Sequence, residues 1–432
     1  MGKQSRQYKI IIDKDKVLRE VENIANSEKI ISILSNKNYF DSKIVPTKVH
    51  SQRKNFLEHA KISPIIHSGE YTTSMALDVT KVAINTAIDL IDSGLYSYDL
   101  MPHNYTYHNG EWLLYDFGAI ELISKRTKTQ TRSMFKISFS SFELLNLVSR
   151  KNLKHYFLNR ISHLDLLKMI NVKNWIIWSI NLTLNLILCK LKLHKQSYIR
   201  LLKILNTYEK QFKREYYDYT PSENDKILHE KINNIISQHN IRSIFGLGEK
   251  TAQWALESKS DIKKFVYLDD YETCDKFYNY IYKNNRVEIS TSVIYPFMQD
   301  DSIDENHKYR GIYDYFAQER YCADATLILD IDEITNNTIF DLNEFCSNIT
   351  EFAQELLVIK LSPEKVSKFE TELKKYFNKI TKVECGEYFI LVAENKLKKS
   401  KDYSKLPKYE NENRGKDAKS HSKEIIKIIK NS

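Results

Sequence analysis

Three polar residues set the first chemical question: Asp99, Asn104 and Asp116. They lie in Tyr98-Asp99-Leu100-Met101-Pro102-His103-Asn104 and then in Asp116-Phe117-Gly118. An Asp followed five residues on by Asn, and later by a second Asp, suits phosphoryl transfer. The first carboxylate accepts the proton of an attacking hydroxyl, while the Asn and the second Asp hold Mg²⁺ against phosphate oxygens. On that reading Asp99 is the catalytic base, Asn104 and Asp116 are the metal ligands, and Mg·ATP is the cofactor. The same trio also reads as a polar structural knot whose members satisfy one another. The spacing leaves both readings open.

The flanking sequence has to place these groups. Leu77, Val79, Val82, Ala83, Ile84, Ala87, Ile88, Leu90 and Ile91 predict a largely buried helix, with Gly94 as the residue just past its C-cap. Tyr105-Thr106-Tyr107 and Trp112-Leu113-Leu114-Tyr115 are β-rich runs around Asn109-Gly110, the dipeptide of a type I′ turn. Helix, loop and hairpin carry Asn104 round to Asp-Phe-Gly, the order found in the catalytic loop of kinase-like folds. The expectation is that Asp99, Asn104 and Asp116 cluster at the mouth of a cleft. The first 68 residues hold only Gly2, so no glycine-rich phosphate loop is present; Lys48 and Glu58 are the candidate phosphate-lysine pair. Residues 8–12 predict a strand, and Leu18 to Leu34 has helical periodicity.

Past Ser222-Glu223-Asn224-Asp225 the pattern changes. Strands are predicted at 243–245, 265–268, 293–298, 325–329 and 356–361. Helices are predicted at 249–256, 272–282, 340–352 and 363–377. Two closing strands, 380–384 and 388–393, flank Cys385-Gly386. Such alternation means a parallel sheet covered on both faces, with an antiparallel hairpin at its edge. The fold class is therefore α/β and α+β multidomain: an N-terminal α+β segment (1–63), a kinase-like helical and hairpin region (64–215), a doubly wound Rossmann-like domain (225–395) and a basic tail (396–432).

Taken in order, these segments resemble a bacterial family in which a kinase-like N-terminal region is fused to a class I S-adenosylmethionine methyltransferase domain, often found among surface-polysaccharide and nodulation genes. His67-Ser68-Gly69-Glu70-Tyr71-Thr72-Thr73-Ser74-Met75 stands where that family has Tyr-Glu-Trp-Ser-Phe. Tyr295-Pro296-Phe297-Met298-Gln299-Asp300 resembles Leu-Pro-Leu-x-x-Asp, and Glu319-Arg320-Tyr321-Cys322-Ala323-Asp324 resembles Glu-Arg-x-x-Ala-Asp. The resemblance spans about residues 60–395 and implies S-adenosylmethionine as cofactor, with Gly246, Gly248, Asp269 and Asp300 around it. Asp269 would take the ribose hydroxyls, 21 residues after Gly248. It also implies a saccharide or surface-glycan intermediate as substrate.

The departures are specific. The family's Asp-x-Gly-x-x-x-Gly loop reads Gly246-Leu247-Gly248-Glu249-Lys250-Thr251-Ala252, without the acid and without the last glycine. Restoring the acid by Gly246→Asp is expected to tighten cofactor binding. The family's His-His pair is replaced by Asp330-Ile331-Asp332. Three function classes remain: a methyltransferase, a scaffold that keeps both folds without catalysis, and a small-molecule kinase.

The 432 residues carry a formal charge of +9. Residues 396–432 hold 12 Lys/Arg and 5 Asp/Glu, a net of +7, which leaves +2 for the rest. The basicity is therefore a property of a Lys/Ser/Asn-rich tail, and no specific nucleic-acid signal stands out. The tail reads as a disordered solubilising segment, with a tether to nucleic acid or a peripheral contact with an anionic membrane as the alternative. Cys189, Cys274, Cys322, Cys346 and Cys385 show no C-x-x-C spacing, which predicts free thiols in a reducing compartment. The first residues lack a signal-peptide core, so a cytoplasmic location is expected. The apolar run from Trp175 to Cys189 is short and contains Ser179, Asn181, Thr183 and Asn185. It reads as a buried core helix, with an interfacial membrane contact as the alternative.

Overall fold

The computed structural model describes residues 10–12, 16–62, 66, 70–97, 99–100, 104–123, 172–210, 212–268, 270–293, 321–336 and 342–397. Asp269, the whole Tyr295–Asp300 motif, Glu319 and Arg320, the region 124–171 and the tail beyond Leu397 lie outside them. The described residues divide into two compact units, one up to Lys213 and one from Arg214 onward.

The first unit opens with an antiparallel sheet of β1 (Ile10–Ile12), β2 (Lys16–Glu20), β3 (Thr47–Val49) and β4 (Phe56–Ala60), in the order β1-β2-β4-β3. Helix α1 (Ile24–Asn36) follows β2, capped by Asn23, whose side chain accepts from Asn26 N at 3.0 Å. The helical periodicity read from Leu18 onward therefore begins six residues too early. Leu18 is buried and pairs in register with Glu58, so cross-strand pairing decides its conformation.

Helix α2 (Thr73–Asp92) is the centre of this unit, with Val79, Ala83, Ile84 and Leu90 fully buried. Thr72 caps its start, and Gly94, at φ +75°, follows the C-cap Ser93, the left-handed position for which glycine has no steric cost. The chain continues through β5 (Leu95–Ser97), the hairpin of β6 (Tyr105–His108) and β7 (Glu111–Leu114), a 3₁₀ turn at Phe117–Ala119 and β8 (Ile120–Leu122), which pairs with β5. Asn109 and Gly110 both have positive φ, as a type I′ turn requires. Helices α3 (Val172–Lys190) and α4 (His194–Glu209) form a second hairpin. Lys81 and Lys195 bond Glu209 and Asp92 at 2.7 and 2.6 Å, tying α4 to α2. The apolar run in α3 is not a buried core helix, because Ile180, Leu184 and Ile187 are exposed.

The second unit begins with α5 (Glu223–Ser237), closed by a reciprocal Ser222–Asp225 capping box. Then β9 (Ser243–Leu247), α6 (Glu249–Glu257), β10 (Lys263–Leu268), α7 (Tyr271–Lys283) and β11 (Ile289–Val293) alternate. They are followed by β12 (Ala323–Ile328), α8 (Ile331–Asn336), α9 (Leu342–Phe352), β13 (Ala353–Leu361), α10 (Pro363–Leu373), β14 (Phe377–Cys385) and β15 (Tyr388–Lys396). The sheet order is β11-β10-β9-β12-β13-β15-β14, parallel from β11 to β13, with β15 and β14 antiparallel at the edge. The alternation and the closing hairpin follow the sequence pattern closely. Strand β11 is described over Ile289–Val293, and the rest of the strand expected at 293–298 lies outside the described residues. Phe245 stacks on Phe352 at 4.3 Å and Phe265 on Tyr321 at 4.5 Å between ring centroids, filling the core beside the central strands.

Candidate functional site

In the first unit the β6–β7 hairpin brings Asn104 near the start of Asp-Phe-Gly. Tyr115 N donates to Asn104 O at 2.9 Å, which places Asn104 beside the start of Asp-Phe-Gly. The buried Asn104 amide donates to the main-chain oxygen of Asp99 at 2.8 Å, and Asp99 N donates to Ser97 Oγ at 3.3 Å. Asn104 thus braces the Asp99 loop through backbone. Asp116 is engaged elsewhere: Arg19 Nη1 on β2 donates to its Oδ1 at 2.5 Å. The guanidinium lies over Gly118, where an added Cβ would come within 2.6 Å of Arg19 Cζ. Phe117 is buried against His59, ring centroids 5.9 Å apart.

Each residue of Asp-Phe-Gly thereby serves the junction with the N-terminal sheet. His59 bonds Thr47 Oγ1 at 2.9 Å. Burial lowers its pKa to about 4, the Arg19 charge adding to the effect and the Asp116 charge opposing it. The exposed Lys48 pairs with Glu58 across β3 and β4 at 3.1 Å, and Lys16 also approaches the Glu58 carboxylate at 3.5 Å. The cation that faces Asp116 is Arg19, which the sequence reading passed over. Among the described residues, no three His, Cys, Asp or Glu side chains stand close enough to share a metal ion.

In the second unit the strand order reverses between β9 and β12, since β10 and β11 lie on one side and β13 on the other. Ligands of open α/β sheets bind beyond the carboxyl ends of the strands at such a reversal. Gly248 leaves β9 there at φ +91° and caps α6. Asp330, just past the end of β12, accepts from Lys250 N at 3.1 Å. Its carboxylate occupies the space that a Cβ on Gly248 would need. The positive φ and this close approach both demand glycine.

Gly246 is explained differently. A Cβ there would meet Thr251 Cγ2 at 2.7 Å. Thr251 is fully buried; its Oγ1 donates to Leu247 O at 2.8 Å and accepts from Leu329 N at 3.2 Å. The room for an acid at position 246 is thus filled by a threonine that laces β9 to β12, and Gly246→Asp would overpack the turn instead of restoring a contact. The carboxylate of this loop comes from the neighbouring strand. Asp332 is tied down structurally, with Ser362 N and Lys365 Nζ on its oxygens at 3.0 and 3.2 Å.

Beside the turn, Tyr217 donates to Glu249 Oε1 at 2.7 Å and accepts from Gln253 Nε2 at 3.0 Å. Burial pushes its phenol pKa up, and the bond to Glu249 adds to the shift. Asp270 caps α7 through Thr273 N at 2.6 Å, so it is the helix cap of the Asp269-Asp270 pair.

No family model and no curated protein matches the chain. Similar solved structures include the N-methyltransferase NodS from Bradyrhizobium japonicum WM9 in complex with S-adenosyl-L-homocysteine, at 11% identity and TM-score 0.28 over 41% of this chain and 89% of that one. A SAM-dependent methyltransferase from Aquifex aeolicus has 13% identity and TM-score 0.29 over 40% and 93%. Magnesium protoporphyrin IX methyltransferase from Synechocystis PCC 6803 with bound SAM has 10% identity and TM-score 0.28 over 45% and 96%. These likenesses are weak; the strand order and the Gly248–Asp330 contact are the stronger observations.

Proposed function

We propose that the C-terminal unit binds S-adenosylmethionine beyond the carboxyl ends of β9 and β12 and passes its methyl group to a small-molecule acceptor. The juxtaposition of Gly248 and Asp330 at the strand-order reversal supports this most. A glycine turn lets a ligand approach the backbone, and a carboxylate beside it suits an ammonium group. The residues present therefore fit the methionine end of the cofactor, with Asp330 in the part that the family gives to an acid at position 246. Gly246 would contribute backbone only. Asp269 and Asp300 remain cofactor contacts by resemblance, as does the saccharide acceptor.

When bound, the sulfonium brings its own leaving group, so the chain's residues need only hold the cofactor and orient the acceptor. Titration calorimetry with S-adenosylmethionine and S-adenosylhomocysteine tests this reading. Binding should weaken about ten- to a hundredfold in Asp330→Asn, the size of a lost charged hydrogen bond. Absence of binding by the unmodified protein, or equal binding by the variant, overturns it.

The Arg19–Asp116 ion pair favours a second reading for the N-terminal unit, a kinase-like fold retained as a scaffold. For Asp116 and Asn104 to hold Mg²⁺ while Asp99 acts as base, Arg19 must first release the Asp116 carboxylate. Thermal shift with Mg·ATP separates the two, because a ligand of the folded state raises its stability. A shift in the unmodified protein supports the kinase; no shift in it or in Arg19→Ala supports the scaffold.

A further inference from the structure

Over residues 179–190, helix α3 buries Asn185 and Cys189 and half-buries Asn181, Leu182, Leu186 and Leu188. Its side against the rest of the unit carries Asn181, which accepts from Arg200 at 2.7 Å, and Asn185, which is almost fully buried with no hydrogen-bond partner for its Oδ1 among the described residues. Its other side exposes Ile180, Leu184 and Ile187, and Leu191 just beyond its end continues the stripe. Their relative exposures are 55%, 38%, 46% and 63%. The spacing of four, three and four residues puts them on one face. With two amides on the packed side, the exposed aliphatic side chains leave an apolar strip facing out, which Thr183 borders.

The charge around the strip indicates what covers it. Lys190 and Lys192 are exposed where the strip ends. Across residues 172–210 there are seven Lys/Arg against Glu209 alone, and Glu209 is paired with Lys81. Helix α3 itself has no acidic residue. An apolar stripe bordered by lysines matches an anionic bilayer surface, where acyl chains meet the stripe and headgroup phosphates meet the ammonium groups. A protein partner would need a matching acidic rim, whereas a bilayer supplies one everywhere. No helix among the described residues is long and apolar enough to cross a membrane, so α3 would lie in the interface plane.

We propose that α3 docks the protein onto an anionic lipid surface through Ile180, Leu184, Ile187 and Leu191, with Lys190 and Lys192 at the headgroups. The contact is separate from the basic tail, and it stands whether or not the C-terminal unit binds S-adenosylmethionine.

Vesicle flotation of the full chain tests it, using phosphatidylcholine alone and phosphatidylcholine mixed with phosphatidylglycerol. The protein should float with the mixed vesicles and much less with the neutral ones. Leu184→Glu and Ile187→Glu, on exposed positions and with folding checked by circular dichroism, should each lower partitioning about tenfold or more. Lys190→Ala with Lys192→Ala should lower binding to the mixed vesicles by roughly twentyfold and leave the residual neutral-vesicle binding unchanged. Failure to float with mixed vesicles overturns the proposal. So does undiminished flotation of the two glutamate variants, which would assign the contact to the tail. A dimer that both variants dissociate, seen by sedimentation in the absence of lipid binding, would instead assign the strip to a second copy of the chain.

Discussion

Gly118 and Gly248 both clear space for a charged side chain from a distant strand, but the charges are opposite. Over Gly118 lies the Arg19 guanidinium, and it neutralises the one acid of the Asp-Phe-Gly motif at 2.5 Å. Against Gly248 lies the Asp330 carboxylate, held by a main-chain N–H at the start of α6, where the helix dipole favours an anion. The first arrangement ties an acid into the junction with a neighbouring sheet. The second brings an acid from beyond β12 to a glycine turn that carries none on its own strand. A motif's glycine marks a close approach, and the residue that makes the approach decides what the motif can do.

The largest expected effect sharpens this contrast. Gly246→Asp should destabilise the C-terminal unit by roughly 4 kcal/mol, because it overpacks Thr251 and buries a carboxylate. Calorimetric unfolding measures it; a variant as stable as the parent that also binds S-adenosylmethionine more tightly would return the acid to β9. Gly248→Ala should cost about 3 kcal/mol, from the left-handed φ and the collision with Asp330. The collision is shared, so Asp330→Ala should rescue part of that loss, a coupling of about 1–2 kcal/mol in a double-mutant cycle. No coupling would mean that the two residues do not meet.

The N-terminal junction should respond to pH. His59 has its pKa lowered to about 4 in the folded state, against 6.5 as its ordinary value. Between these values the unfolded chain binds the extra proton, so stability rises with pH through this window and falls as pH drops from about 6.5 toward 4. The upper bound is roughly 3 kcal/mol. His59→Gln should flatten the pH dependence of unfolding of this unit; an unchanged slope would place the cause elsewhere. Smaller again, Arg19→Ala should cost about 1–2 kcal/mol by leaving Asp116 half-buried without its cation. Gly118→Ala, which pushes the flexible guanidinium aside, should cost about 1 kcal/mol. Equal losses in Arg19→Ala and in the double variant with Asp116→Asn would confirm that the two side chains act as one pair.

Much of the architecture was legible before any coordinates. The I′ turn at Asn109-Gly110, Gly94 beyond the C-cap of α2 and the β–α alternation after residue 242 are local signals, set by which residues tolerate positive φ and by apolar period. Their environment is a few residues of chain, so the sequence carries them. Leu18 was misread because helical spacing and strand pairing compete there, and the partner that decides, β4, lies some forty residues away. The exposed apolar strip of α3 was hidden for a similar reason: an apolar run does not say which of its sides finds α4.

The sites divide the same way. The sequence by itself determined the residue types on offer, a carboxylate–amide–carboxylate order around a hairpin and a glycine turn at the end of a strand. Only the tertiary structure decided who meets whom. Arg19 reaches Asp116 across 97 positions, and Asp330 reaches the turn at Lys250 across 80. Such contacts depend on sheet order and register, which arise from burying many distant side chains together, and no local pattern in the chain encodes them.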